Sequence, residues 1–481
     1  MLNRASKPFR TLSCACLVLA ACAGAIGCGS GSTTTVDVTC DDGGHGETGT
    51  GSGSGNATAP DGGAPDAGAS DSGAPQPDGG STSTPDGGAD SGGSTTSGPE
   101  TYNDFGDPQN WQSYSPGGSY LMAAFDGRYL YAIPSGSGVV ARYDTRASFV
   151  TASSWTTFDV GTIDSSAGGY RGAAFDGRYL YLVPYTSAPS VLGGVAVQYD
   201  THGDFGTASS WSTFDITTVN AGATGYFGAA FDGRYVYYIP YGQDTAQDGI
   251  VARYDTWAPF ASSSSWVTFD TATLGPEVQG FLGGVFDGRY MYLSPYGYSY
   301  GQYGSMVTRY DTQGSFTDAS GWTTFDTTQV SPQAVGYFGA GFDGRYAYFE
   351  PYNGNGSWGH QITRYDTLGD FSSGSSWATF DTTALNIAPA GTVFDGRFLY
   401  LVPNVTSAGA SGLVARLDTT AEFTSPASWS EFDTASLTPS VAGFFGGAFD
   451  GQYVYLVGAT IARFDAKTPP SMPDTSHGSF Y

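Results

Sequence analysis

Cysteine and histidine are scarce in this chain of 481 residues, and their placement excludes several classes of function. All 5 cysteines lie before residue 41, so the rest of the chain can form neither a disulfide nor a thiolate metal site. No two of the 4 histidines have the spacing of a metal-binding pair. The Gly-x-Ser-x-Gly spacing of hydrolases occurs once, at residues 297–301, in a loop without the strand and helix that flank a nucleophile elbow, and the Ser-x-Asp-x-Gly-x-Thr-Trp box of sialidases does not occur. The sequence therefore predicts no metal, no cofactor and no assignable catalytic residue.

Positive charge is also sparse. The chain has 18 Lys and Arg against 44 Asp and Glu, which gives a formal net charge of -26. A protein that binds nucleic acid needs a basic stripe to displace counterions, and an anionic membrane surface makes a similar demand. No such stripe is present, so we expect neither of these partners, and membrane contact only through a lipid at the N-terminus.

The first 28 residues have the pattern of an export signal. Three basic residues precede an apolar run that is too short and wrongly flanked for a membrane span. Within it, Leu19-Ala20-Ala21-Cys22 resembles the lipobox of bacterial lipoproteins, in which the cysteine becomes lipid-modified. The resemblance implies a lipid on Cys22 and a location in the bacterial cell envelope, at the outer membrane or cell surface. Cys28 is a second candidate for lipidation, and simple secretion after cleavage is the alternative.

Residues 29–100 lack Lys, Arg and aromatic side chains and consist mostly of Gly, Ser, Thr, Pro, Ala and Asp. Such a segment cannot bury enough apolar surface to offset the entropy of ordering, so we predict a disordered linker. Weak calcium binding by its Asp-rich pieces is an open alternative, although the alternating acids and closing Glu of an EF-hand are missing. We expect the folded domain over residues 101–468 and a tail over residues 469–481.

Glycine, proline and aromatic residues are abundant, with 72 Gly, 25 Pro and 15% aromatics, a composition that favours turn-rich all-β structure. The string Phe-Asp-Gly-Arg-Tyr, or a close relative, begins at residues 125, 175, 231, 286, 342, 394 and 449. A Gly/Ala run precedes each copy. An aromatic-aliphatic run, a Tyr-Asp-Thr element and, in six copies, a Trp followed three residues later by Phe-Asp come after it. The chain therefore contains seven copies of one structural unit, spaced 50 to 56 residues apart.

The third copy indicates the secondary structure of the unit. Asp232-Gly233 predicts a two-residue type I′ hairpin turn, and Pro240 ends the strand that follows it. Four antiparallel strands per unit are one blade of a β-propeller. We therefore predict an all-β fold, a seven-bladed β-propeller of four-stranded antiparallel blades. In this copy the strands are predicted at residues 225–231, 234–239, 250–254 and 266–269.

The two ends of the repeat region predict how the ring closes. The seventh copy, from Phe444 to Asp465, has no Trp element. The missing element stands at the other end, where Phe105 and Trp111 match the corresponding residues of the complete copies. An N-terminal strand therefore completes the last blade, which removes the exposed edges of an open array.

The order of these signals over residues 101–466 resembles the kelch repeat, in which a second apolar strand, a strand ending in Tyr-Asp and a Trp-bearing strand follow one another. The resemblance implies the propeller fold. Kelch blades carry Gly-Gly after the second strand, whereas this chain has Pro-Tyr there, as at Pro240-Tyr241 and Pro295-Tyr296. The resemblance does not identify a partner, because propellers serve in binding, scaffolding and catalysis.

Most of the charge recurs at fixed positions of the repeat. We expect these arginines to pair with carboxylates and the aspartates to cap turns, which is a structural role. One Arg follows the Asp-Gly pair: Arg128, Arg178, Arg234, Arg289, Arg345 and Arg397. Another precedes Tyr-Asp-Thr or its equivalent: Arg142, Arg253, Arg309, Arg364, Arg416 and Arg463.

One face of the predicted propeller carries the loops that vary, between strands two and three and between consecutive blades. We call it the variable face, and the opposite face, with the Asp-Gly turns, the constant face. A ligand site is expected on the variable face near the channel mouth. Aromatic residues at its edge either stack on sugar rings or seal the blades against one another. They open first strands at Tyr170, Tyr226, Phe281, Tyr337 and Phe444, and follow second strands at Tyr185, Tyr241, Tyr296 and Tyr352.

The fifth copy departs most from the pattern. Glu350 occupies a position that is aliphatic in most other copies. A carboxylate there is costly unless it is paired or solvated, so it marks a candidate site, with simple exposure at the strand end as the alternative. Ser294 stands at the equivalent position one copy earlier. The other ligand-binding candidates near Glu350 are Tyr352, Asn353, Trp358 and His360, together with Tyr241 and Tyr296.

These features lead to one functional hypothesis and two alternatives. We expect an exported, lipid-anchored, non-enzymatic module with a carbohydrate or protein ligand on the variable face. The first alternative is a polysaccharide lyase or glycoside hydrolase that uses Glu350 with Asp244, Asp248 or Glu277. The second is a structural surface protein whose propeller self-associates. The sequence does not predict the oligomeric state.

Overall fold

The computed structural model describes residues 99–473, except residues 244–245, 355–356, 386 and 388. Seven four-stranded antiparallel sheets form a closed ring in which the first strands of neighbouring blades contact one another, so the predicted seven-bladed β-propeller is confirmed. In the described part of the chain, no helix is long and apolar enough to cross a membrane. The export signal with Cys22 and the predicted linker through residue 98 lie outside the described residues.

The strands of each blade run in chain order from the axis outward. The first strands are Tyr120–Phe125, Tyr170–Phe175, Tyr226–Phe231, Phe281–Phe286, Tyr337–Phe342, Pro389–Phe394 and Gly446–Phe449. The second strands are Tyr129–Pro134, Tyr179–Pro184, Tyr235–Pro240, Tyr290–Pro295, Tyr346–Pro351, Phe398–Pro403 and Tyr453–Val457. The third strands are Val139–Asp144, Val195–Asp200, Ile250–Asp255, Met306–Asp311, Gln361–Asp366, Leu413–Asp418 and Ile461–Asp465.

The fourth strands lie at the outer rim and are flanked by short 3-10 helices. They are Trp155–Asp159, Trp211–Asp215, Trp266–Asp270, Trp322–Asp326, Trp377–Asp381, Trp429–Asp433 and, for blade seven, Trp111–Tyr114. The helices before them are Pro108–Asn110, Ala152–Ser154, Ala208–Ser210, Ser263–Ser265, Ala319–Gly321, Gly374–Ser376 and Pro426–Ser428. The helices after them are Val160–Thr162, Ile216–Thr218, Thr271–Leu274, Thr327–Gln329, Thr383–Leu385 and Thr434–Ser436.

The N-terminal strand closes the ring as predicted. Trp111–Tyr114 pairs antiparallel with Ile461–Asp465 and so becomes the fourth strand of blade seven. A second, two-residue pairing joins Thr101–Tyr102 to Lys467–Thr468. These contacts link the two ends of the described chain on the constant face, and no blade is left incomplete.

Glycines near the axis explain the small-residue runs. At Gly228 in blade three, an added Cβ would lie 2.8 Å from the carbonyl oxygen of Leu282 in blade four and 3.0 Å from the Cα of Gly283. The inner strands of neighbouring blades therefore approach backbone to backbone, which leaves no room for a side chain at this position.

Aromatic stacks fill the wider space at the rim. The ring of Trp211 lies parallel to Phe158 of the preceding blade, with ring centres 4.7 Å apart, and Trp377 stacks on Phe325 at 4.4 Å. The indole N–H of Trp211 donates to the carbonyl of Phe205 at 3.0 Å, so the buried nitrogen is satisfied. This pairing of a Trp with a Phe from the neighbouring blade explains why the Trp and the Phe-Asp recur together.

The Asp-Gly turns differ from the prediction. A type I′ turn needs positive φ at both central residues, yet in blade three only Gly233 has positive φ, at 98°. The carboxylate of Asp232 replaces a backbone acceptor: one oxygen accepts from the N–H groups of Arg234 at 2.8 Å and Tyr235 at 2.6 Å. Its other oxygen accepts from the hydroxyl of Tyr237 at 2.7 Å. The turn therefore needs the carboxylate of the aspartate as a hydrogen-bond acceptor, and not a positive φ at that residue. The type I′ prediction is wrong.

The two sets of repeated arginines behave differently. Each Arg after an Asp-Gly pair forms an ion pair with the last Asp of the third strand, at 2.6 to 2.8 Å, which confirms the predicted pairing. The other set forms no ion pair among the described residues, so for it the prediction is wrong. Arg142, for example, lies 4.2 Å from the ring centre of Tyr129 and 4.4 Å from that of Phe205. These guanidinium groups are held between rings of two blades.

Candidate functional site

On the variable face, five blades carry an additional hairpin between their second and third strands, and the other two do not. We call these five hairpins the wall. Residues 135–138 and 458–460 join the second and third strands of blades one and seven directly. In blades two to six this connection, predicted only as a variable loop, folds into a small hairpin. The paired segments are Thr186–Ala188 with Val191–Leu192, Gly242–Gln243 with Ala246–Gln247, Gly297–Ser299 with Gln302–Tyr303, Asn353–Gly354 with Ser357–Trp358, and Val405–Thr406 with Gly409–Ala410.

Inside this wall, side chains from the starts of the first strands converge on the axis. Phe227 of blade three and Phe338 of blade five belong to blades that are not neighbours, and yet their ring centres are 5.5 Å apart. They meet there because they occupy the same position at the start of an innermost strand. Six of the seven blades contribute an uncharged side chain at this position, and one contributes an arginine. The seven axial residues are Leu121, Arg171, Phe227, Leu282, Phe338, Ala390 and Phe445.

A row of four tyrosines lies beside these axial residues, at the base of the hairpins. Tyr185, Tyr241, Tyr296 and Tyr352 follow one another with ring centres 6.4, 5.8 and 6.1 Å apart. Tyr241 and Tyr352 are buried, whereas Tyr185 and Tyr296 are half-buried. The aromatic residues that open the first strands are also buried. Packing between blades therefore accounts for most of the predicted aromatic residues. Tyr185, Tyr296 and the half-buried Phe227 remain partly accessible, and we call these three rings the aromatic floor.

Arg171 lies beside these rings and, like Phe227, is not among the candidates predicted from the sequence. Its guanidinium lies 4.8 Å from the ring centre of Tyr185 and 5.8 Å from that of Phe227. It is half-buried, and among the described residues it is the only Arg or Lys in a first strand. The signal was present in the repeat, since Arg171 replaces an uncharged residue at the same position of the other six copies.

Glu350 lies between blades five and six and has no solvent-exposed surface. The alternative of exposure at the strand end is therefore wrong. Neither carboxylate oxygen has a hydrogen-bond partner among the described residues, and the facing Thr392 hydroxyl also lacks one. Burial raises the pKa of Glu350 to about 7, against the smaller opposing effects of Thr392 and the backbone at Gly339. A ligand on the surface does not reach this carboxyl in the described conformation.

Small residues around Glu350 make room for its carboxyl group. A Cβ on Gly339 would lie 3.1 Å from one carboxylate oxygen. Ser294, the equivalent residue of blade four, is also fully buried and donates to the carbonyl of Gly339 at 2.7 Å. The two exceptional residues therefore occupy neighbouring blade interfaces, and Glu350 contributes an unpaired buried acid that favours its protonated form.

The remaining candidates are more dispersed. Asp248 accepts from the N–H of Ile250 at 2.8 Å, and burial, with a smaller effect of Asp270, raises its pKa to about 6. Glu277 is exposed, and Asp244 lies outside the described residues. His360 is half-buried, and its carbonyl accepts from the backbone N–H of Thr382 at 2.8 Å.

Two candidates can be placed only by their backbone. Asn353 and Trp358 pair with each other in the blade-five hairpin, and their side chains lie outside the described part. A carboxylate pair for glycoside chemistry stays a prediction. Across the described residues, no group of three His, Cys, Asp or Glu side chains could hold a metal ion.

Comparisons with known proteins concern the fold. No protein-family model matches the sequence, and no curated protein matches it. Virginiamycin B lyase from Staphylococcus aureus is similar in structure, with 13% identity and a TM-score of 0.47 over 74% of this chain and 98% of that one.

Two further solved structures resemble the chain at a comparable level. PorZ, a surface component of the type-IX secretion system of Porphyromonas gingivalis, gives 12% identity and a TM-score of 0.44 over 76% of this chain and 39% of that one. YCF48 bound to D1 peptide gives 12% identity and a TM-score of 0.49 over 76% of this chain and 98% of that one. At these values, the likeness does not extend to ligand or activity.

Proposed function

We propose that the protein is an exported, kelch-like propeller, lipid-anchored through Cys22, that binds a carbohydrate or protein ligand on its variable face without converting it. The observation that carries this proposal is the partly exposed aromatic floor of Tyr185, Phe227 and Tyr296 inside the hairpin wall. Flat aromatic rings bind the apolar faces of sugars and the side chains of peptides, and they do so at low cost because packing already holds them in place.

The position of the chain termini is consistent with an anchored module. The described chain starts at Pro99, close to the constant face, where Thr101–Tyr102 pairs with Lys467–Thr468. The lipobox resemblance at Cys22 and the composition of residues 29–100 support anchoring through a flexible linker.

A binding screen with product analysis tests the proposed function. The full-length exported protein is presented to a panel of glycans, polysaccharides and envelope protein extracts, and the same samples are examined by mass spectrometry for reaction products. We expect retention of a ligand with its mass unchanged. Retention that persists after Tyr185→Ala and Tyr296→Ala would place the binding site elsewhere, and conversion of a bound glycan would contradict a non-enzymatic role.

The enzymatic alternative has one observation in its favour, which is the raised pKa of two carboxyl groups, Glu350 at about 7 and Asp248 at about 6. Such values suit a general acid near neutral pH. The complete burial of Glu350 argues against contact with substrate. Turnover of a polysaccharide that disappears in Glu350→Gln but survives in Glu422→Gln, an exposed constant-face control, would make the enzyme the better account.

A further inference from the structure

The geometry points to a subsite for a single carboxylated sugar at Arg171, on the aromatic floor of the variable face. This inference rests on the proposed binding function and adds the chemical class of its ligand, a largely neutral glycan that carries one uronate group. It depends on the placement of Arg171, on the rings beside it, and on the distribution of charge over the two faces.

The placement of Arg171 separates it from every other described Arg and Lys. Six arginines are in ion pairs at the constant face, and six others lie in third strands, where each guanidinium is held between two aromatic rings. Arg146 and Lys467 also lie on the constant-face side, after the third strands of blades one and seven. Arg171 alone stands at the start of a first strand, at the end that opens on the variable face.

The surroundings of Arg171 provide the second element of a sugar site. Its guanidinium lies beside the half-buried rings of Tyr185 and Phe227. A pyranose ring that stacks on one of these aromatic faces would bring an equatorial carboxylate next to the guanidinium. Arg binds a carboxylate through two parallel N–H donors, whereas a neutral sugar offers only hydroxyl acceptors, so the carboxylated sugar is preferred.

The charge around the floor limits the ligand to few negative groups. The fourth strands of blades one to six end in aspartates on the rim of the variable face: Asp159, Asp215, Asp270, Asp326, Asp381 and Asp433. The guanidinium of Arg171 attracts an isolated carboxylate at short range, whereas the surrounding aspartates repel a polyanion at longer range. A chain of uncharged sugars with one uronate fits this field better than a polyuronate does.

Calorimetric titration of matched oligosaccharides tests the inference. The probes are a panel of trisaccharides in which two neutral sugars are followed by a terminal glucuronate or galacturonate, the same compounds after reduction of the carboxyl group, and polygalacturonate. We expect at least one uronate-terminated probe to bind roughly ten- to a hundredfold more tightly than its reduced counterpart, because a charge-assisted pair is lost. Polygalacturonate should bind more weakly per uronate than the best terminated probe.

Two variants assign this preference to Arg171. Arg171→Leu should abolish it, and the variant should fold because Leu occupies the same position as Leu121 and Leu282 of two other blades. Arg171→Lys should retain only part of it. The matched control is Arg146→Leu, which removes one exposed positive charge from the constant face and should leave the preference intact.

The outcomes separate this inference from the proposed function. No binding of any uronate probe, or a preference that survives in Arg171→Leu, would overturn the inference. If a neutral glycan or a protein nevertheless binds in the screen described above and depends on Tyr185 and Tyr296, the binding function stands and only the uronate subsite fails.

Discussion

The constant and variable faces are made from the same seven repeats, and they differ in what is repeated. On the constant face, the capped Asp-Gly turn recurs in all seven blades and the Arg–Asp pair in six, with pair distances of 2.6 to 2.8 Å. On the variable face, hairpins occur in five blades, and Arg171 and Glu350 each occur once. A closed ring needs similar interfaces all round, so the recurring features hold the fold and the single ones are open to other roles.

The largest expected effect is on the constant face. Asp232→Ala leaves the N–H groups of Arg234 and Tyr235 and the buried hydroxyl of Tyr237 without their acceptor, and it should lower the free energy of unfolding by about 4 kcal/mol. Asp215→Ala, on the rim of the variable face, removes the cap of a 3-10 helix and should cost only about 1 kcal/mol. Urea denaturation measures both. Equal losses of unfolding free energy in the two variants would contradict the claim that the constant-face turns stabilise the fold more than the variable-face caps do.

Glu350 provides the second test, through pH. Its folded pKa of about 7 lies above the ordinary value of 4.5, so the folded chain keeps the proton that the unfolded chain releases. The stabilising contribution of the protonated group is complete below pH 4.5 and is lost as the pH rises towards 7, which amounts to about 3 kcal/mol.

Glu350→Ile, which introduces the residue found at Ile133 and Ile239, should remove this pH dependence and be the more stable protein at pH 8. The measurement is the difference in unfolding free energy between variant and wild type at pH 4 and at pH 8. A difference that does not change with pH would mean that Glu350 is solvated or paired in the protein.

The smallest effect is expected at the exposed Arg–Asp pairs. Arg397 and Asp418 are 2.6 Å apart, but 44% of the Arg side chain is exposed, so solvent screens their attraction. Arg397→Gln should cost less than about 1 kcal/mol, and the difference should vanish in 1 M salt. A larger, salt-independent loss would show that the ring Arg397 covers, Phe398, contributes more than the ion pair does.

The fold was largely predictable because its determinants are local and occur seven times. The Gly/Ala runs, the Trp with its Phe-Asp and the unmatched element at Trp111 were enough to predict blades, strand order and closure. The turn type was not predictable from Asp-Gly alone, because the side chain of Asp232 competes with the backbone for the same N–H groups.

The candidate site was predictable only in part. The sequence located the variable face and the unusual Glu350, but not whether a side chain at a strand end meets solvent or the next blade. That depends on the stagger of neighbouring blades, which buries Glu350 against Thr392 and leaves Tyr296 half-buried while Tyr352 is covered. Arg171 is not part of either repeated set of arginines, and it stands out only against Leu121 and Leu282 at the same position of other copies.

The most direct test of the account compares two double variants for affinity towards the ligand found in the screen. Tyr185→Ala with Tyr296→Ala removes the accessible aromatic floor of the variable face. Trp257→Ala with Leu368→Ala removes two side chains of the constant face that are 77% and 81% exposed. We predict that the first pair weakens binding at least about tenfold in a variant that is still folded, as its circular dichroism spectrum would show, and that the second pair has no effect on binding. Loss of binding in the second pair, with the first unaffected, would contradict the assignment of binding to the variable face.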